Sequence, residues 1–316
     1  MDFRGVDMSK KLRADLILLT MTAFWGISFP LMRNVLVHVP ALAYLSMRFI
    51  LAAIIVSLIF IKKHRDISKR EVGGGAVIGI LLVAGMAFQV FGLYSTTASN
   101  SAFITSMNVA FVPLVLSLFF KQKTPRLTII GIIIATAGLF LISGMVEFRL
   151  NPGDFLTLLC AIAFAFQIVF ISKFSIRSDT VGLSIVQLWT AAALTTFIWL
   201  VFDRSRIVFN AEVIIVLAVT AVFGTAIAFT AQILVQKDTN PSHAALIFTM
   251  EPMFALVFTM LIPDSTGNFE RLTSMTAIGC LLILSGTIVS EFKTIFFRNR
   301  KRADILSGDK ADSQVQ

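Results

Sequence analysis

Ten apolar stretches, most of them about 20 residues long, follow one another through this chain with only short polar loops between them. Their approximate limits are 14–32, 41–61, 73–93, 101–120, 127–145, 155–172, 181–202, 213–235, 243–262 and 273–292. A helix of that length crosses the roughly 30 Å hydrocarbon core of a bilayer. In lipid a span must satisfy its own backbone hydrogen bonds, so these stretches predict helices rather than isolated strands. Composition agrees, with 57% hydrophobic and 14% charged residues and a mean hydropathy of +0.86. Soluble domains average about 45–50% apolar and about 25% charged, and a chain this size has too little interior to hide such an excess. The prediction is an all-α, polytopic membrane protein.

Other classes fall away. The net charge of +9 and the pI near 9.9 could suggest nucleic acid, but the basic residues cluster between apolar runs, where they set membrane orientation. Cys160 and Cys280 each lie inside an apolar run, and His38, His64 and His243 are far apart, so no disulfide framework or metal-ligand spacing emerges. Gly73-Gly74-Gly75 lacks the Lys-Ser/Thr partner of a phosphate-binding loop, and no GxSxG or GxGxxG pattern occurs. No cofactor, metal or nucleic-acid partner is expected. The basic N-terminus followed by an apolar run to about Met32 has no small-x-small cleavage site, and reads as an uncleaved first span.

Lys and Arg set the orientation. With the N-terminus inside, 21 of these residues fall in inner segments and 5 in outer loops, while Arg48 lies within a span. That bias predicts both termini in the cytoplasm. The tail 293–316 reads as disordered beyond Arg302; its Arg298, Arg300, Lys301 and Arg302 either touch anionic lipid or serve orientation only. In the loops, Asn151-Pro152-Gly153-Asp154 reads as a turn with Asp154 capping the next helix, and Asn240-Pro241-Ser242 does similar work.

The second half of the chain echoes the first. Leu18-Leu19-Thr20-Met21-Thr22-Ala23-Phe24 resembles Leu158-Leu159-Cys160-Ala161-Ile162-Ala163-Phe164 at an offset of 140. Gln89 and Ala102 answer Gln232 and Ala245 at 143, Arg126-Leu127-Thr128 answers Arg271-Leu272-Thr273 at 145, and Gly131 and Gly138 answer Gly279 and Gly286 at 148. Five spans per half means that the copies enter the membrane in opposite orientations. Inverted repeats around a central site are an architecture of alternating access. The division predicted is an N-terminal segment 1–13, a five-helix repeat 14–145, a linker 146–154, a second five-helix repeat 155–292 and the tail.

Trp25-Gly26-Ile27-Ser28-Phe29, Arg48-Phe49, Ser101-Ala102-Phe103-Ile104 through Pro113, Gly153-Asp154, Ala244-Ala245-Leu246-Ile247 with Glu251-Pro252, and Glu270-Arg271-Leu272-Thr273 leading to Gly279 together resemble the EamA family of the drug/metabolite transporter superfamily. The resemblance covers roughly 14–292 as two copies. It implies ten helices, a central cavity, export of small metabolites, often amino acids, and fifth and tenth helices that stand behind the cavity as scaffold. Pro125 departs from the pattern, standing where the first copy would often carry the glutamate matched by Glu270.

Polar side chains within the spans are the candidate site, because hydrocarbon penalises them. Glu251 lies eight residues beyond His243, roughly 12 Å deep and near mid-bilayer. It either handles protons or a substrate amine, or closes a helix–helix contact beside a kink at Pro252. Arg48 either snorkels to the outer interface, pairs with a carboxylate such as Glu251, or binds a substrate carboxylate through its paired donors. Gln89 and Gln232, and likewise Asn108 and Glu251, occupy matching positions at an offset of 143, which suits a polar cavity or plain interhelical hydrogen bonds. Gln167 and Trp25 are further candidates for the wall. Gly75-xxx-Gly79 and Gly131-xxx-Ala135 permit close helix approach.

The reading is a secondary carrier that exports small metabolites such as amino acids across the cytoplasmic membrane by alternating access, with protons as a candidate coupling ion and Glu251 their candidate handler. The alternative is a non-transporting membrane sensor or accessory subunit, against which stands the lack of a sizeable soluble domain. An enzyme is not expected, since the spans offer no His pair and no His beside Glu or Asp.

Overall fold

The computed structural model describes residues 8–142, 151–202, 207–264, 267–269 and 271–290. Among them the chain is all-α, without a strand. The helices are α1 (Met8–Val35), α2 (Ala41–Ile59), α3 (Lys69–Gly92), α4 (Ala98–Phe120), α5 (Arg126–Ile142), α6 (Pro152–Phe174), α7 (Thr180–Phe202), α8 (Ala211–Gln236), α9 (Pro241–Thr259) and α10 (Ser274–Ser290). Among the described residues, eight are long and apolar enough to cross a membrane. The other two, α5 and α10, are each shorter, about 25 Å by helical rise against a core of about 30 Å. The N-terminal segment before Met8, most of the linker, Glu270 and the basic tail lie outside the described residues.

Several helices begin earlier than the apolar runs suggest, because caps and charged first turns extend them. Ser68 and Glu71 form a reciprocal capping box at the start of α3. At the start of α6 the cap is Asn151, which accepts from the Asp154 amide; Asp154 stands three residues in and reaches back to the Asn151 amide. The sequence reading of Asp154 as the cap is therefore corrected, since Pro152 already occupies the first helical position. Asn240 caps α9, again with proline first.

Glycines set the closest crossings. A Cβ at Gly75 or Gly79 of α3 would press on Val186, Gln187 and Thr190 of α7. Between α5 and α10, Gly131 meets the carbonyl of Gly286 and Gly138 meets that of Gly279, an antiparallel contact in which the two helices exchange the same roles. Small residues let helix backbones approach where lipid offers no hydrophobic drive to associate. The exterior is apolar: Leu58, Leu118, Ile133, Phe202 and Leu281 are among many large hydrophobic residues left exposed, as lipid-facing positions require.

Three buried clusters make the interior among the described residues. One joins α1, α2, α3, α7 and α8 with Ala98 and Ala102 of α4 and Ala255 of α9. A second joins α1, α4, α5, α6, α9 and α10, with Trp25 packed against both it and the first. A small third joins Ile78, Ile171, Leu183 and Ile233 of α3, α6, α7 and α8. Three helices are irregular. α4 is interrupted at Met107 and resumes at Asn108, and α9 is interrupted at Thr249–Met250 and resumes at Glu251. In α9 the cause is Pro252, which cannot donate to the carbonyl four residues back. α8 contains a π turn over Val222–Ile227. The first half of α4 packs on the second half of α9, and the reverse, so the pair runs antiparallel with its two interruptions near the middle.

Candidate functional site

A cavity opens where these irregularities converge, enclosing about 480 Å3 of space free of protein atoms, any opening to the outside included. All seven residues singled out from the sequence line it. Trp25 comes from α1, Arg48 from α2, Gln89 from α3 and Asn108 from the interruption in α4. The remaining three are Gln167 of α6, Gln232 of α8 and Glu251 at the interruption in α9. Neither α5 nor α10 contributes to this lining among the described residues.

Arg48 is 1% exposed, so it does not snorkel. Its Nε donates to Thr225 Oγ1 at 2.6 Å, Nη2 to the Gly224 carbonyl at 3.2 Å, and Nη1 approaches Met32 Sδ at 3.0 Å. No ion pair joins it to Glu251, and among the described residues it has no carboxylate partner at all. The reason is local: the π turn of α8 supplies oxygen acceptors inside the bundle, so the guanidinium need not reach for an interface or an acid. Glu251 is equally solitary, buried against the cavity without an ion pair or hydrogen bond among the described residues.

Two of the four cavity amides are held by one hydrogen bond each. Gln89 Nε2 donates to Thr105 Oγ1 at 3.2 Å, and Gln232 Nε2 to Gln236 Oε1 at 3.1 Å. Gln236 is itself anchored on α6 through the Ile168 carbonyl and Ser172 Oγ. Asn108 Oδ1, Gln167 Nε2 and Gln232 Oε1 are buried without a hydrogen-bond partner among the described residues. Buried polar atoms are seldom left so, and three around one cavity give it capacity to bind a polar solute. Trp25 closes one wall, its Nε1 donating to the Gly224 carbonyl at 3.2 Å and its ring lying 5.3 Å from Phe229 and 5.2 Å from Phe248. Arg48 and Glu251 thus bring opposite charge types to an aromatic-walled space.

Thr225, Gly224, Thr105 and Gln236 were not singled out from the sequence. The only signal for the first two was a Gly-Thr pair inside an apolar run, which reads equally well as packing.

An apolar-coated helical bundle around a buried polar cavity defines a multi-pass membrane transporter. Comparison with known proteins names the family: the model of the EamA-like transporter family matches residues 12–144 and again 151–292, and the chain belongs to it. An "uncharacterized transporter" of Archaeoglobus fulgidus is 32% identical over 285 residues, covering 90% of this chain and 88% of that protein. The "uncharacterized inner membrane transporter YedA" of Escherichia coli K12 is 23% identical over 236 residues, covering 74% of this chain and 77% of its own length. One solved crystal structure superposes with a TM-score of 0.69 at 17% identity, covering 89% of this chain and 96% of that one, which speaks to fold alone.

Proposed function

We propose that this transporter is a secondary carrier exporting small polar or zwitterionic metabolites, such as amino acids, across the cytoplasmic membrane by alternating access. The observation that carries the reading is the unpaired placement of Arg48 and Glu251 around one cavity that also holds three open amide atoms. An uncompensated charge in such a site is costly unless something completes it. A solute with a carboxylate and an ammonium group would complete both, and a proton on Glu251 would neutralise it between turnovers.

In this reading the ten helices are ten spans, α1–α5 and α6–α10 form two inverted repeats, and both termini face the cytoplasm. The double family match, the reciprocal Gly131–Gly286 and Gly138–Gly279 contacts and the antiparallel α4–α9 pair support it. Exchanging the conformations of the two halves would then turn the cavity from one side of the membrane to the other.

The test is uptake and counterflow of a labelled amino-acid and small-metabolite panel in proteoliposomes, with and without an imposed pH gradient. Accumulation of one solute class against its gradient supports a coupled exporter. Exchange without accumulation removes the coupling, and silence across the panel from folded protein overturns the substrate class.

A further inference from the structure

The π turn of α8 is not required by the fold. In α3, the helix that would match α8 in an inverted repeat, Leu81 and Leu82 stand opposite Gly224 and Thr225 at the offset of 143, and that helix runs as an uninterrupted α-helix from Lys69 to Gly92. The arginine is equally one-sided, since Leu188 answers Arg48 at the offset of 140. The first half therefore carries the guanidinium and the second half carries the oxygens that hold it. A π turn displaces one backbone carbonyl from the regular ladder, and such turns recur at functional positions. Here Thr225 Oγ1 donates to the Thr220 carbonyl five residues back at 3.0 Å while accepting from Arg48 Nε, and the Gly224 carbonyl accepts from both Arg48 Nη2 and Trp25 Nε1.

The geometry leaves a defined remainder. Of the five N–H donors of a guanidinium, the Nε/Nη2 edge is spent on the π turn and one Nη1 donor on the weak thioether acceptor of Met32. One further N–H is carried by each terminal nitrogen, with the Tyr44 hydroxyl also standing beside the guanidinium. Gly224 is needed for this approach, because a Cβ there would stand 2.7 Å from Ser28 Oγ and 3.0 Å from Arg48 Nη2.

We infer that Gly224 and Thr225 are positioning residues that hold Arg48 as a preformed carboxylate subsite, with the remaining N–H donors of its terminal nitrogens turned to the solute. This rests on the anion-binding role proposed for Arg48 and adds what fixes it. Because the side edge is locked, the arginine is spared the entropic cost of ordering when a carboxylate arrives. Trp25 shares the Gly224 acceptor, so its indole reports on the subsite.

The experiment uses the full chain in detergent with Trp189→Phe and Trp199→Phe, which leaves Trp25 as the remaining tryptophan. The probes are phenylacetate and phenylacetamide, alike in shape but for the carboxylate, and lacking an amine that would engage Glu251. A saturable change in Trp25 emission is expected with phenylacetate and not with phenylacetamide. Thr225→Val is expected to weaken phenylacetate binding by about tenfold or more, the scale of one charge-assisted hydrogen bond, and Thr225→Ser to restore it. Thr225→Ala gives the same comparison should the valine variant fail to fold. Equal binding of both probes, binding of neither, or wild-type affinity in the folded Thr225→Val or Thr225→Ala protein overturns the inference. Counterflow on the same preparations separates it from the carrier reading: carboxylate binding without transport of any panel solute sinks the carrier and leaves the subsite, whereas transport without carboxylate binding does the reverse.

Discussion

Asn100 Nδ2 donates to Asp154 Oδ1 across 2.6 Å, tying the first turn of α4 to the first turn of α6. Thr96 Oγ1 donates to the same oxygen at 2.7 Å. The position matching Asn100 at the offset of 143 is His243, in the first turn of α9, and its Nε2 lies 3.2 Å from Asp15 Oδ1 on α1. Since α4 and α9 run antiparallel, the two acid contacts close opposite ends of the helix pair whose middle opens on the cavity. Replacing Asp154 by alanine strips the acceptor from buried Thr96 Oγ1, part-buried Asn100 Nδ2 and the Asn151 amide, and a buried donor left unmade costs about 1–3 kcal/mol. The expected outcome is a lower thermal midpoint in detergent for Asp154→Ala and a smaller loss for Asp154→Asn, which keeps one acceptor. Equal loss in the two variants would mean that charge, not hydrogen bonding, holds this end.

The glycine contacts between α5 and α10 predict a separation of stability from transport. A Cβ at Gly138 would stand 2.5 Å from the Gly279 carbonyl, which is backbone and cannot swing aside. Gly138→Ala is therefore expected to cost about 1–3 kcal/mol of overpacking, read as a lower thermal midpoint, while transport per folded molecule is retained because neither helix lines the cavity. Gly73 is the control. Nothing stands within 4 Å of a Cβ there, so Gly73→Ala should stabilise, by about 0.5–1 kcal/mol at most.

Much of the site was legible because hydrocarbon makes polar residues conspicuous. Glu251, Arg48, Gln89, Asn108, Gln167 and Gln232 each interrupt an apolar run, and all line the cavity. The offsets between halves matched Gly131 and Gly138 with Gly279 and Gly286, but that these glycines face one another across α5 and α10 is seen only in the structure. What could not be read was the partner of each group. Arg48 sits neither at an interface nor on an acid: its protein contacts are two oxygens of a π turn, an irregularity with no periodic signature of its own, and the Met32 thioether. Gln236 was missed because it falls just beyond the apolar run it belongs to. Helix starts at Lys69 and Pro152 were missed because polar first turns look like loop until their caps are seen.

Gln236 predicts a binding defect without direct contact with the solute space. It accepts from Gln232 Nε2 and donates to Ser172 Oγ and the Ile168 carbonyl, fixing the cavity amide from behind. Gln236→Leu preserves bulk but removes every one of these bonds, so Gln232 loses its fixed orientation. The expected result is a raised KM with little change in maximal rate, measured by counterflow of whichever panel solute is carried. A lowered maximal rate at unchanged KM would assign Gln236 to the moving parts rather than to the binding wall.

Glu251 carries the sharpest prediction. It begins the second half of α9, directly before Pro252, where the broken helix lets a carboxyl face the cavity with no cation beside it among the described residues. A carboxylate in low dielectric is costly, so its charge is affordable only when the cavity supplies a partner, and otherwise the group holds a proton. In the proposed reading, that alternation would couple a proton to a solute. Glu251→Gln keeps the shape and hydrogen-bonding capacity and removes the titration. In proteoliposomes with an imposed pH gradient, the variant is expected to lose uphill accumulation while keeping counterflow exchange, and Glu251→Asp, which still titrates, to keep part of the accumulation. Full uphill transport by Glu251→Gln would remove Glu251 from coupling and leave it as the structural start of a half-helix.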